Sequence, residues 1–175
     1  MDWHFSKVNG SYVCVVLDNA SRMILAVGEF DNQTAEHSIK LLDLAYYRYF
    51  HISLICVVIA DHGSQFYANK RDKDGFAAHS FENYCHKMEI HHILCKYNHP
   101  QSNGKIETWF DLYNRKKDEF DSFEEMIVWY NSIRPHLSLN VNVLETPEQA
   151  FYQKCEDISL GIFMQWVDQT MKAEI

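Results

Sequence analysis

The sequence lacks the features that would place it outside the soluble globular proteins. No uninterrupted apolar run approaches the roughly 20 residues that span a bilayer, and no basic-then-apolar leader follows Met1. Repeats and low-complexity segments are also absent. With 175 residues, 47% of them apolar, the chain suits one domain with a substantial core. We therefore expect a cytoplasmic protein with no membrane partner.

Cysteines with metal-ligand spacing are missing as well. The five cysteines are odd in number and form no CxxC motif, which favours free thiols in a reducing cytoplasm. His91, His92 and Cys95 follow Cys85 and His86, but their spacing matches no zinc-ligand pattern. Side chains on a strand alternate between its two faces, which would separate such ligands further. The sequence therefore does not predict a zinc site.

A surplus of positive charge is the third missing feature. The net charge is −8, but residues 1–117 hold 13 basic and 13 acidic side chains, whereas residues 118–175 hold 3 and 11. The negative excess therefore belongs to the C-terminal third of the chain. Such a chain lacks the basic footprint of a strong, stand-alone DNA binder, although a DNA partner is not excluded.

Apolar periodicity and turn residues predict an α/β fold. Residues 2–30 have the pattern of three antiparallel strands, and Asn9-Gly10 marks the first hairpin. The elements predicted after them are a helix from Asn32 or Thr34 to Phe50, a strand at 54–60, a helix at 80–88, a strand at 90–95, and helices at 105–117, 122–133 and 147–151. Ser80 and Ser122 are the predicted caps of the helices that begin there.

The fourth predicted strand ends at a carboxylate. Residues 54–60 are an apolar run rich in β-branched types, which predicts a strand buried on both faces, and Asp61 follows directly. A right-handed crossover would place this strand beside the first one, so that Asp2 and Asp61 lie side by side. Taken alone, an Asp at this position is more often a turn cap than a functional group.

A third carboxylate lies on the predicted helix at 105–117. Ile106, Phe110 and Tyr113 have the spacing of a core-facing stripe, and Glu107 is next to that stripe. A single Glu on such a helix is usually a solvated surface residue. Grouped with two aspartates, it would instead complete a set of oxygen ligands for Mg²⁺ or Mn²⁺. Two such ions can activate an attacking oxygen and stabilise the leaving one at a phosphodiester.

Five motifs give the sequence a family resemblance over about residues 2–151. It resembles the catalytic cores of retroviral-type integrases and the related insertion-sequence transposases. The motifs that carry the resemblance are Asp2-Trp3-His4, Asp18-Asn19-Ala20-Ser21-Arg22, Asp61-His62-Gly63-Ser64-Gln65-Phe66, the run at 98–107, and Tyr130-Asn131-Ser132-Ile133-Arg134-Pro135-His136.

The resemblance implies a ribonuclease H-like fold with a mixed five-stranded sheet, three antiparallel strands plus two parallel ones, flanked by helices. It implies that Asp2, Asp61 and Glu107 are catalytic and bind two Mg²⁺ or Mn²⁺ ions. The implied reaction is cleavage at the ends of a DNA element and joining of the freed 3′-hydroxyl to target DNA by a homo-oligomer. Asp18 matches a turn residue and is not expected to be catalytic. The residues expected to contact DNA are His62, Gln65, Asn98, His99, Gln101, Asn103 and Lys105.

The sequence departs from the family pattern in three places. It begins one residue before Asp2, so we expect a shortened first strand, and an upstream DNA-binding domain stays an open question. Residues 67–79 lengthen the interval to Glu107, and residues 152–175 are expected to form a helical tail beyond a core at 1–151. Two alternatives stay open: a nuclease of the same fold that cuts without joining, and an inactive remnant that binds DNA ends or another protein.

Overall fold

The computed structural model describes residues 1–173 except for residues 8–9, 69, 71–72, 74–77 and 96–103, and it describes side chains as far as residue 161.

An antiparallel meander forms the first half of the sheet. Its strands are β1 (Asp2–Ser6), β2 (Ser11–Leu17) and β3 (Ile24–Phe30). The register of β1 and β2 pairs Asp2 with Val15. Gly10 has a φ of +68°, a conformation that glycine adopts without steric cost, and its N–H donates to the carbonyl of Ser6 at 2.9 Å. The predicted meander and its first hairpin are confirmed.

A parallel pair of strands lies next to the meander. It consists of β4 (Val57–Ala60) and β5 (His91–Leu94). The backbone nitrogen of Met1 donates to the carbonyl of Ile59 at 2.8 Å, which places β4 beside the start of β1. The strand order expected from a right-handed crossover is therefore present. The ladder is interrupted between β1 and β4, because hydrogen bonding divides the five strands into a three-stranded and a two-stranded sheet.

Two helices cover one face of these strands, and their side chains form the larger core. They are α1 (Ala35–Tyr49) and α2 (Ser80–Lys87). Thr34 caps α1, because its Oγ1 accepts the N–H of His37 at 3.1 Å. The predicted cap of α2 is wrong: Ser80 is already the first helical residue, and His79, with an extended backbone, occupies the cap position.

The opposite face of the meander is covered by two further helices. They are α3 (Gly104–Lys116) and α4 (Phe123–Val128), the latter continuing into a π-helix (Trp129–Ile133). The predicted stripe is confirmed, since Ile106, Phe110 and Tyr113 are buried and belong to the same cluster as Val13 and Val15 of β2. Ser122 accepts the N–H of Glu125 and begins α4, as expected.

The expected burial of β4 on both faces is wrong. Val58 and Ala60 are buried in the core beneath α1 and α2, whereas Val57 is 48% exposed and Ile59 is 36% exposed. The second buried cluster, formed by α3 and α4, contains residues of β2 and β3 but none of β4. One face of β4 is therefore open, and the strand itself begins at Val57 rather than at residue 54.

A single long helix, α5 (Pro147–Ala173), ends the described chain. Thr146 and Gln149 cap it reciprocally: Thr146 Oγ1 accepts the Gln149 N–H at 3.3 Å, and Gln149 Oε1 accepts the Thr146 N–H at 3.0 Å. The expected short helix and separate tail are one element, so the division at residues 151 and 152 falls inside α5. Of the helices in the described part of the chain, none has the length and apolarity to cross a membrane.

Candidate active site

Asp2 is the most enclosed of the three candidate catalytic carboxylates. It begins β1 with only 9% of its surface exposed, and its Oδ1 accepts the N–H of Trp3 at 2.8 Å. Burial raises the pKa of Asp2 to about 6, and the negative charges of Asp61 and Glu107 act in the same direction. The three carboxylates are therefore close enough to interact electrostatically.

Asp61 lies directly after β4 and is half-buried. Its Oδ1 accepts the N–H of Gly63 at 2.9 Å, which is the local turn contact expected of an Asp in this position. The pairing of Met1 with Ile59 brings the end of β4 alongside the first residues of β1. The sheet thus holds Asp61 near Asp2.

Glu107 is exposed in the first turn of α3. Ile106 before it and Phe110 after it are anchored in the core, so the helix fixes the backbone of Glu107. The side chain itself retains rotamer freedom, because glutamate has three rotatable bonds and this one is solvated. Its charge nevertheless contributes to the raised pKa of Asp2.

The chemistry of these donors fits a hard divalent cation, but their spacing is wider than a shared ion requires. Carboxylate oxygens are the ligands that Mg²⁺ and Mn²⁺ prefer, and mutual repulsion among three carboxylates is relieved by a cation. Within the described ranges, however, no three carboxylate, histidine or cysteine side chains are gathered closely enough to hold an ion. Asp61 and Glu107 therefore act electrostatically on Asp2, but the three side chains are not placed to coordinate one ion together.

The residues expected to contact DNA fall into two groups. Asn98, His99, Gln101 and Asn103 lie outside the described residues. Of the others, His62 bonds through Nε2 to the carbonyl of Cys95 at 2.8 Å, and Gln65 is only 7% exposed, with its amide packed over Gly63. Lys105 is half-buried and donates to the side-chain oxygen of Asn19 at 2.6 Å.

Asp18 has the structural role expected of it. Its Oδ2 accepts hydrogen bonds from the N–H of Ala20 at 3.2 Å, the N–H of Ser21 at 2.7 Å and the hydroxyl of Ser21 at 2.6 Å. These bonds shape the turn between β2 and β3. The carboxylate is occupied by this turn rather than by the candidate site.

Sequence reasoning assigned no role to two arginines near the turn between β2 and β3. Arg22 lies in the turn between β2 and β3, and Arg134 follows the π-helix. Arg22 Nε donates to Ser138 Oγ at 3.2 Å, which joins the turn to the segment that follows Arg134. Both arginines belong to motifs that carried the family resemblance, and that shared membership was the available signal.

The fold defines a class of protein. An antiparallel meander with a parallel strand pair beside it, flanked by helices on both faces, is the ribonuclease H-like architecture of integrase catalytic cores. The chain has a TM-score of 0.64 to the catalytic core domain of BIV integrase, with 17% identity over 91% of this chain and 96% of that one. It has a TM-score of 0.58 to a chain of the simian T-cell lymphotropic virus intasome in complex with PP2A regulatory subunit B56 gamma, with 16% identity over 85% of this chain and 50% of that one.

The chain belongs to the integrase core domain family. The family model matches residues 1–100, which is more than half of the chain. That match includes Asp2 and Asp61 and ends before Glu107. No curated protein is significantly similar in sequence.

Proposed function

We propose that this chain is the catalytic domain of a DNA transposase or integrase. It would cleave a phosphodiester at the end of a DNA element and join the freed 3′-hydroxyl to target DNA, with Mg²⁺ or Mn²⁺ as cofactor. Element ends and target DNA would be its substrates, and a homo-oligomer would bring two ends together. Membership of the integrase core domain family supports the reaction class.

One observation carries the proposal: the buried Asp2 has a raised pKa, to which the charges of Asp61 and Glu107 from two other elements contribute, inside a fold shared with integrase cores. The pKa of Asp2 rises with burial and with the charges of Asp61 and Glu107. Enclosing like charges in this way costs stability, and perturbed carboxylates of this kind concentrate at functional sites.

Each residue would have a distinct part in the reaction. Asp2 and Asp61, fixed by the sheet, would provide the rigid side of the metal site, and Glu107 would approach from α3. The bound ions would supply Lewis-acid activation of the attacking and leaving oxygens. The chain itself would orient the phosphate, with Lys105 contributing a positive charge two residues before Glu107.

The test is a strand-transfer assay on the full chain with the DNA that flanks its coding sequence. Labelled duplexes are incubated with Mg²⁺ or Mn²⁺, and shortened and joined strands are separated by denaturing electrophoresis. We expect both products from the wild type and neither from Asp61→Asn. Glu124→Gln is the matched control, because Glu124 is an exposed carboxylate on α4, outside the site.

The same assay separates the alternatives. Shortened strands without joined products would indicate a nuclease of the same fold, and DNA binding without either product would indicate an inactive remnant. If Asp61→Asn keeps the wild-type activity while circular dichroism shows an unchanged fold, the catalytic assignment is wrong.

A further inference from the structure

We propose that Arg22, Lys105 and Arg134, here called the basic patch, bind the backbone phosphates of a DNA strand that runs beside the three carboxylates. This inference rests on the proposed function, because the patch is assigned to the same substrate. It concerns arginines to which neither the sequence motifs nor the family match gives a role.

Two cations of the patch converge on one neutral oxygen. Arg22 Nη1 and Lys105 Nζ both donate to the backbone carbonyl of Asn19, the lysine at a distance of 3.2 Å. Neither cation lies within 4 Å of a carboxylate oxygen in the part of the chain that the structure describes. The charge of Arg22, after burial, lowers the pKa of Lys105, although Asp18 opposes the effect. A pair of like charges around a carbonyl is an environment that an anion would stabilise.

The third cation is held in place by aromatic rings. The guanidinium carbon of Arg134 lies 5.8 Å from the ring centre of Trp129 and 5.7 Å from that of Tyr130. Its Nη1 is buried and has no hydrogen-bond partner among the described residues. Cation–π contacts fix the orientation of a guanidinium without using its N–H donors, so that the donors other than the enclosed Nη1 are left for an anion.

The field of the two arginines also acts on His136. Burial lowers the pKa of His136, and the charges of Arg134 and Arg22 lower it further. His136 therefore adds no positive charge at neutral pH, and its ring Nδ1 lies 3.0 Å from the hydroxyl of Ser138. The Ser138 hydroxyl accepts a hydrogen bond from Arg22, so His136 helps to position the arginine through Ser138.

Arg22 occupies a backbone conformation that would suit glycine better. Its φ is +70°, in the left-handed region where a side chain with a Cβ is strained. Such strain is retained mostly where the side chain has a function. An arginine without a function would not be expected at such a strained backbone position.

The turn that carries Arg22 lies close to the candidate active site. Asp2 pairs with Val15, and the turn that begins at Asp18 lies three residues further along β2, about 10 Å at the usual rise of a strand. That length corresponds to about three base steps of duplex DNA at roughly 3.4 Å each. Lys105 lies on the same helical turn as Glu107, two residues before it and on a different face of α3. A strand with one phosphate at the carboxylates would therefore place its neighbours on the patch.

DNA binding by the full chain in the presence of a chelator tests the inference without catalysis. The probe is a fluorescent duplex of the flanking DNA, and its anisotropy gives Kd between about 50 and 200 mM salt, where phosphate contacts dominate the salt dependence. We expect Arg22→Gln, Lys105→Gln and Arg134→Gln each to raise Kd roughly two- to tenfold and to lower the slope of log Kd against log salt by about one. Arg22→Lys should restore the slope.

Lys40→Gln is the matched control, because it removes one exposed positive charge from α1, on the opposite face of the meander. The inference is overturned if the patch variants keep the wild-type Kd and slope, or if Lys40→Gln weakens binding as much as they do. It is also overturned if the variants lose binding only to polyglutamate, which would assign the patch to an acidic protein. If thermal denaturation shows that Arg134→Gln is misfolded, the test depends on Arg22→Gln and Lys105→Gln.

Failure of the inference and failure of the proposed function give different results. Normal DNA binding by the patch variants, with strand transfer by the wild type, would remove the patch and leave the function. If the wild type neither cuts nor joins DNA but the patch variants bind DNA more weakly than it does, the proposed function is wrong and the patch is a DNA-binding surface.

Discussion

Asn131 holds the first residue of β3 through both ends of its side-chain amide. Its Oδ1 accepts the N–H of Ile24 at 2.9 Å, and its Nδ2 donates to the carbonyl of Ile24 at 3.0 Å. The amide therefore satisfies two buried backbone groups as a neighbouring strand would. Because Asn131 belongs to the π-helix that precedes Arg134, this contact sets the position of Arg134 relative to the turn that carries Arg22.

Asn131→Ala should destabilise the protein by about 2–4 kcal/mol, because it leaves both backbone groups of Ile24 buried without a partner. Urea denaturation measures this change. DNA binding at low salt should weaken as well, since Arg134 loses its support. Ser132→Ala, an exposed position in the same π-helix, should change the free energy of unfolding by less than about 0.5 kcal/mol. Equal stability of the two variants would show that the amide contact contributes nothing.

Arg22→Gly should separate stability from DNA binding. Glycine relieves the backbone strain at a φ of +70°, which stabilises the folded protein by about 1 kcal/mol. Its greater conformational freedom in the unfolded chain destabilises the folded protein by a similar amount, about 1 kcal/mol. We therefore expect a free energy of unfolding within about 1 kcal/mol of the wild type, together with weaker DNA binding. Arg22→Val, which removes the same charge, should be clearly less stable because a β-branched residue is poorly tolerated there. A large loss of stability in Arg22→Gly would contradict the strain argument.

Local sequence signals predicted the elements well because each is encoded by a few adjacent residues. Gly10 supplies the hairpin turn, and Thr34 and Ser122 begin their helices with the expected caps. The exposure of β4 was not predictable in this way, because an apolar run does not encode how far α3 and α4 extend across the sheet. That Arg22 and Arg134 lie near each other was not predictable for a related reason.

The carboxylates show the same limit at the candidate site. The handedness of the crossover connection allowed Asp2 and Asp61 to be placed together, since few topologies are compatible with that rule. The side-chain distance from Glu107 to them depends on how α3 packs against β2, which is decided by many tertiary contacts. Arg134 is likewise brought near the turn between β2 and β3 by long-range contacts, the pairing of Asn131 with Ile24 and the hydrogen bond from Arg22 to Ser138.

Asp2→Asn should stabilise the metal-free protein above pH 6. The folded-state pKa of Asp2 is about 6, against 3.8 for an unperturbed aspartate, so the folded state binds more protons between these values. The stability contributed by this group is therefore greatest below about pH 4 and falls as the pH rises to about 6. Above that pH the variant should exceed the wild type by up to about 3 kcal/mol, whereas at pH 4 the two should be nearly equal.

Urea denaturation from pH 4 to pH 8 measures this difference, and the asparagine side chain still offers an oxygen to the N–H of Trp3. Asp121→Asn, at an exposed position, is the control and should show no such pH dependence. A constant difference between Asp2→Asn and the wild type over the whole range would mean that Asp2 titrates normally in the folded protein.

Mg²⁺ or Mn²⁺ should raise the melting temperature of the wild type at pH 7, because a cation offsets the repulsion among the three carboxylates. At a cation concentration of ten times Kd, the expected gain in the free energy of unfolding is about 1.4 kcal/mol. Asp2→Asn and Asp61→Asn should lose it, and Glu124→Gln should keep it. Glu107→Gln should keep part of it, since the exposed Glu107 does not share a coordination sphere with the two aspartates. The gain in the wild type should shrink below about pH 6, where protons compete for Asp2. An equal gain in the wild type and in Asp61→Asn would place the cation elsewhere on the protein.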